Sequence, residues 1–148
     1  MPSTHTDLHY HLVFSTAERR GLIADAWGER LHGYLGGLVR GLGGVAEQVG
    51  GTRDHIHILA RLRATHQVSD ILQKIKAGSS GWIHKSVGLT LFAWQRGYGA
   101  FTVGWREIDA VARYIKEQQE HHRTKSFEEE LRALLEEAGI SYDERYLI

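Results

Sequence analysis

The chain has 148 residues, 42% of them hydrophobic, with one proline, no cysteine, and 18 Lys+Arg balanced by 18 Asp+Glu to a formal net charge of zero. This composition describes an ordered globular protein and excludes disulfide scaffolds, thiolate metal sites and cysteine nucleophiles, so any metal must be held by imidazole, carboxylate or amide oxygen. No apolar run is long enough to span a bilayer and Met1 to Thr6 lacks the basic-then-apolar pattern of a targeting segment, so a soluble cytoplasmic protein with no membrane partner is expected. The neutral total hides an asymmetry: residues 1–116 carry 14 Lys+Arg against 9 Asp+Glu, and residues 117–148 carry 4 against 9, a body of +5 and a tail of −5. A phosphate-binding surface on the body and two separately solvated surfaces explain this equally well.

The first predicted strand is His9 to Ser15, followed by a polar loop from Thr16 to Gly21. From Asp25, placed as a cap, Trp27, Leu31, Tyr34, Leu35, Leu38, Val39 and Leu42 recur every three or four residues, predicting an amphipathic helix ended by Gly41, Gly43 and Gly44. Gly33, Gly36 and Gly37 lower its propensity and are expected to let it pack closely on a sheet. Gly41 to Gly44 is no phosphate loop, since it closes a helix and lacks the lysine. Val45 to Val49 is a second strand, Gly50-Gly51 a turn, and the strand from His55 pairs back as a β-hairpin. In that strand Ile56, Ile58, Ala60 and Leu62 face the core, while His55, His57, Leu59, Arg61 and Arg63 form a mostly polar face.

Val68 to Trp82 is predicted as a second helix whose small residues Gly78 to Gly81 admit a close backbone or nucleic-acid strand. Leu91–Trp94 and Ala100–Val103 read as strands, and a third helix runs from Trp105 to His122 on a stripe of Ile108, Val111, Ala112 and Ile115. Ser126 to Glu129 has the capping-box pattern and opens a short fourth helix that ends at Gly139, with Phe127, Leu131, Leu134 and Leu135 as its apolar stripe. Tyr142 to Ile148 is an extended tail with no assigned place. The order β-α-β-β-α-β-β-α plus a short C-terminal helix predicts an α+β fold, an antiparallel sheet with helices packed on one face. A sheet face or edge left exposed invites dimerisation.

Imidazoles two apart on a strand emerge together, so His55 and His57 can converge on one divalent metal if a third ligand arrives from elsewhere. On the third helix Tyr114 and Gln118 lie one turn apart, flanking the apolar stripe, with His121 continuing that face. A helix docked by the stripe would hold them near the two histidines. Read singly, the histidines are half-exposed strand residues and Tyr114 an ordinary half-buried aromatic; the conjunction favours a site.

His55-Ile56-His57 resembles the His-hydrophobe-His signature of the HUH nuclease superfamily, and Tyr114-Ile115-Lys116-Glu117-Gln118 followed by His121-His122 resembles the tyrosine helix of its single-tyrosine transposases. These are the enzymes of IS200-type insertion sequences and the REP-associated tyrosine transposases. Leu12 to Thr16, Phe92 to Gln95, Gly97 to Phe101 and the tail from Phe127 to Tyr146 are similar as well, so the resemblance covers most of the chain. It implies a ferredoxin-like variant fold, with residues 1–125 as the transposase domain and residues 126–148 as its acidic helix and tail. It further implies a homodimer whose tyrosine helix can act in cis or in trans, and single-stranded DNA folded into a hairpin as substrate. His55, His57 and Gln118 would hold a divalent metal, Mg or Mn, with His121 or His122 as an added or substitute ligand. Tyr114 would cut and rejoin DNA through a covalent 5′-phosphotyrosine, its proton passing to Asp54, His121 or Lys116. A neutral set of two imidazoles and an amide suits Mg²⁺ or Mn²⁺ sharing its shell with phosphate oxygens.

Arg61, Arg63, Lys74, Lys76, Lys85, Arg96, Arg113 and Lys116 are candidate DNA phosphate contacts. Among Trp82, Trp94, Tyr98, Phe101 and Trp105 as base-stacking groups, only Tyr98 reads as exposed. Two other functions fit the same residues: a domesticated protein that binds hairpin DNA without strand transfer, and a metal-dependent phosphohydrolase in which water attacks.

Overall fold

The computed structural model describes residues 3–147. Its elements are β1 (Leu8–Ser15), α1 (Asp25–Gly41), β2 (Val45–Gly51), β3 (His55–Leu62), α2 (Val68–Trp82), β4 (Gly99–Val103), α3 (Ile108–Lys116), α4 (Gln118–His121) and α5 (Phe127–Glu137). The strands form one antiparallel sheet in the order β2-β3-β1-β4. On one face Leu12, Phe14, Ile56, Ile58, Ala60 and Leu62 meet Leu31, Leu35 and Val39 of α1 and Ile71, Leu72 and Ile75 of α2, the main core. The α+β class, the antiparallel sheet and the two long helices on one of its faces agree with expectation. On the other face α3 and α5 close over Val13, Leu59 and Val103 through Ile115, Phe127 and Leu131. The side of β3 expected to be mostly polar is therefore sealed, and His55 and His57 are both 0% exposed.

Local differences have physical causes. Ala24 occupies the N-cap position of α1 with no side-chain cap, Asp25 is the first helical residue, and its carboxylate pairs instead with the Arg53 guanidinium 2.9 Å away. Gly50 and Gly51 are not the turn; they extend β2, opposite His57 and Ile56, and the turn is Thr52 to Asp54. Their lack of side chains has another use: a Cβ on Gly50 would stand 2.2 Å from the Ile115 carbonyl oxygen of α3, and Gly51 adopts φ 151° with its Cβ position 2.1 Å from His55 O. Gly78 is likewise a close-contact position, filled by Leu38 of α1 and not by an outside strand.

Leu91–Trp94 is not a strand of the sheet. The chain leaves a π turn at Ile83–Val87 through Gly88 (φ 86°), turns at Leu89–Phe92, and pairs only through a Thr16–Trp94 bridge. The Phe92 and Trp94 rings bury themselves against Trp27 and Phe14, which needs no ladder, and Leu91 stays 92% exposed. The third helix is shorter than expected and breaks at Glu117 (φ −96°, ψ 21°) into α3 and α4. The tail forms a 3₁₀ turn at Glu144–Tyr146 and docks Leu147 beside Val13, Phe127 and Leu131; Ile148 lies outside the described residues. No helix among the described residues is long and apolar enough to cross a membrane.

Candidate active site

Register builds the floor of the site. β1 and β3 pair Val13 with His57 and Ser15 with His55, so His11, His55 and His57 all rise on the face that α3 and α5 cover. His55 places Nδ1 2.7 Å from Asp54 Oδ1, and His57 places Nδ1 2.7 Å from His11 Nε2. Each strand imidazole is thus held at one nitrogen and turns the other, Nε2, to a common centre, the orientation that supports a metal-ligating histidine. Burial, and next the nearby His57, push His11 down to about 3, so it is neutral near pH 7 and its Nε2 can accept a proton from His57. Burial also pushes His57 down to about 4, against the opposing pull of Glu130. Burial raises the Asp54 carboxyl, but its contacts with His55, Thr52 and His122 together outweigh burial and the net direction is down.

The centre itself is filled by Glu130 of α5, 1% exposed. Its Oε1 lies 2.8 Å from His57 Nε2 and 3.6 Å from His55 Nε2. Its Oε2 accepts the Tyr114 hydroxyl and, at 3.0 Å, the Gln118 amide N–H, and lies 3.2 Å from His122 Nε2. Burial alone would raise this carboxyl; the imidazoles of His122 and His57 and the Tyr114 hydroxyl beside it hold it far below the usual carboxylate range. Its own burial, and next the Glu130 contact, push the Tyr114 phenol well above its ordinary value. Gln118 Oε1 lies 2.8 Å from His55 Nε2. His122 Nε2 is buried without a hydrogen-bond partner, its approach to Glu130 being off the bonding angle.

One ligand atom from each of His55, His57, His122 and Glu130 falls within 4.8 Å of the others. Tetrahedral ligands about 2.1 Å from a metal sit about 3.4 Å apart; the Nε2 atoms of His57 and His55 stand 2.8 and 3.6 Å from Glu130 Oε1, and His122 Nε2 stands 3.2 Å from Oε2 of the same carboxylate. With an orphaned imidazole nitrogen aimed inward and fixed Nδ1 partners behind, the donor set fits a divalent cation.

Of the residues singled out by sequence, His55, His57, Tyr114 and Gln118 come together in one protomer. His121 stands aside: its ring stacks on Tyr114 at 4.7 Å and 28°, while His122 takes the inward position. Asp54 bonds His55 and Lys116 is exposed on α3, whereas the group touching the phenol is Glu130. His11 and Glu130 were missed, although each left a trace. His11 shares the strand parity of His57's neighbour Val13, and Glu130 is an acid three residues after Phe127 and four before Leu134, within the apolar stripe of α5.

The predicted DNA contacts lie on several elements. Arg113 and Lys116 are exposed on α3, Arg61 and Arg63 at the far end of β3, and Arg96 with Tyr98, 40% exposed, before β4. Lys74 pairs with Asp70 on α2, Lys85 is exposed beyond it, and Lys76 gives two donors to the Gln95 and Gly97 carbonyls. Trp105, 71% exposed, is a second open aromatic, while Trp82 stacks on Tyr34 and Trp94 meets Phe14 edge to face. Cations missed by sequence lie nearer the site, in a cleft of about 570 Å³ lined by Arg53, Asp54, His122, Arg123, Lys125 and Phe127. A second cleft of about 330 Å³, between α3 and α5, reaches Tyr114 and Glu130 and shares Lys125.

A family model described as "Transposase IS200 like" matches residues 4–118. The fold is similar to that of a Deinococcus radiodurans R1 protein provisionally designated a transposase, at 20% identity and TM-score 0.66, covering 80% of this chain and 95% of that one. It is also similar to a REP-associated tyrosine transposase solved bound to a REP hairpin, at 14% identity and TM-score 0.60, covering 82% and 74%. No curated protein matches.

Proposed function

Since this chain belongs to the IS200-like transposase family, we propose that it cuts and rejoins single-stranded DNA at hairpin-bearing ends, with Tyr114 as the nucleophile. The observation that carries this reading is the meeting of the Tyr114 hydroxyl, the His55 and His57 Nε2 atoms and Gln118 around one buried point. A divalent cation held by His55, His57 and a third protein group would offset the charge that develops on the phosphoryl oxygens.

Tyr114 Oη attacks phosphorus, the bond to the 3′ oxygen breaks, and the products are a 5′-phosphotyrosine and a free 3′ hydroxyl. The phenol lies above its ordinary pKa, so it is protonated beforehand and must lose that proton as the new bond forms. His11 and Asp54 keep the two strand imidazoles from rotating. The ester retains the linkage energy, so a different 3′ hydroxyl can attack it and rejoin the strand without a nucleotide. Histidines and tyrosine come from one protomer, so a homodimer would pair two complete sites, one for each DNA end. Arg53, Arg123 and Lys125 line the cleft by which the phosphate backbone would enter.

The test is incubation with labelled single-stranded hairpin DNAs and Mn²⁺, followed by a denaturing gel. Cutting with a protein–DNA adduct, both abolished by Tyr114→Phe, is the expected result. Cutting without adduct that survives Tyr114→Phe would make water the nucleophile and overturn it. The protonated, Glu130-bound phenol favours a second reading, hairpin binding without cutting, which retention of the hairpin with neither cutting nor adduct would support.

A further inference from the structure

The family match ends at residue 118, yet two of the groups at the centre, His122 and Glu130, come from beyond it. Resting on the reading of this site as metal-binding, we propose that the protein ligands are His55, His57, His122 and Glu130. Gln118 is then a positioning residue, and the centre is an anionic set of three imidazoles and one carboxylate that takes Mn²⁺ or Zn²⁺ in preference to Mg²⁺.

Glu130 carries the argument. A carboxylate 1% exposed needs a counter-charge, and its ion-pair partners among the described residues are the imidazoles of His55, His57 and His122 alone, with no lysine or arginine. Its two oxygens have different surroundings. Oε2 takes the Tyr114 hydroxyl and the Gln118 N–H, while Oε1 is left facing the Nε2 atoms of both strand histidines. Unprotonated imidazole nitrogens and a carboxylate oxygen are all acceptors, and a dication among them converts their opposition into coordination. Gln118 bridges the two: its N–H fixes the carboxylate so that Glu130 Oε1 points inward, and its own Oε1 stands 2.8 Å from His55 Nε2 and holds that ring in place.

His122 supplies the second observation. Its side chain is 9% exposed, its Nε2 has no hydrogen-bond partner, and its ring lies 4.4 Å from that of His55. α5 is aimed by packing: Phe127 stacks on the His55 ring at 4.4 Å and 20°, Leu131 joins Val13, and Ser126 Oγ caps the helix by accepting Glu129 N–H. Three imidazoles favour nitrogen-binding transition metals, whereas Mg²⁺ prefers oxygen and water.

The experiment uses the full chain without DNA. Mn²⁺ binding is followed by electron paramagnetic resonance titration, the bound imidazole nitrogens are counted by nuclear–electron double resonance, and far-ultraviolet dichroism checks that each variant is folded. Three coupled imidazoles are expected in the wild type and two in His122→Ala. Glu130→Gln should weaken Mn²⁺ binding about 100-fold or more, beyond the span usual for supporting residues, and Gln118→Ala by less than that span. Two imidazoles in the wild type, or a larger loss in Gln118→Ala than in Glu130→Gln, would overturn the assignment. A Tyr114-dependent DNA adduct with Mn²⁺ affinity unchanged in Glu130→Gln would sink this ligand set and leave the transposase reading standing. The expected order of Mn²⁺ affinities among the variants without any adduct would do the reverse.

Discussion

His11 shows how one side chain acts through another. It does not face the centre; it holds His57 Nδ1 at 2.7 Å, with its ring stacked on that of His57 at 4.9 Å and 25°. His11→Ala leaves a buried N–H unpartnered and frees the His57 ring, so Mn²⁺ affinity should fall about 10- to 100-fold, the usual cost of losing a supporting hydrogen bond. Paramagnetic resonance titration reads this directly, and an unchanged affinity would reduce His11 to packing. At this scale the strand histidines and Tyr114 were legible because each carries a motif. His11 and Glu130 carry none. Their importance comes from being buried polar groups, and burial follows from partners distant in sequence.

At the scale of elements, the site depends on how closely α3 can approach β2. The Ile115 carbonyl sits where a Cβ of residue 50 would be, 2.2 Å away, so α3 can rest on the sheet only over a glycine. Gly50→Ala should lower stability by about 1–3 kcal/mol, the usual range for overpacking. It should also reduce adduct yield, because Tyr114 adjoins the displaced Ile115. Denaturant unfolding and the adduct gel test the two effects, and wild-type stability would mean that the helix does not dock there. Gly50-Gly51 read as a turn because paired glycines between strands usually are one. That their bareness serves a helix residue, Ile115, 65 positions after Gly50 has no local sign. The break at Glu117 is similar: propensity continues through it, and α4 begins as the chain turns Gln118 inward.

For the whole molecule, the buried imidazoles fix the pH dependence. His11 and His57 have folded values of about 3 and about 4, below the ordinary histidine value of 6.5, and burial lowers His32 in the same direction. The unfolded chain therefore binds more protons between pH 6.5 and about 3 to 4, so their contribution to stability falls as pH falls through that window. Burial lowers His122, but Glu130, the Lys125 backbone and Asp54 together outweigh it and the net direction is up, so its contribution is complete below pH 6.5 and disappears as pH rises through its folded value. Glu130 is lowered, and its contribution is lost only in stronger acid. With chelator present, stability should drop by a few kcal/mol from pH 6.5 to pH 4, measured by denaturant melts; a flat profile would show that the histidines are solvated. Periodicity and punctuation gave α1, α2, the β2–β3 hairpin and the α5 cap, because hydrophobic spacing and backbone preference are local properties. The residues of the His55–Ile56–His57 and Tyr114–Gln118 motifs were likewise determined by the sequence alone. Only the tertiary structure decided that α5 covers the histidine face and sets Glu130 and His122 among them, because a side chain's burial, charge state and partners depend on which distant segments pack over it.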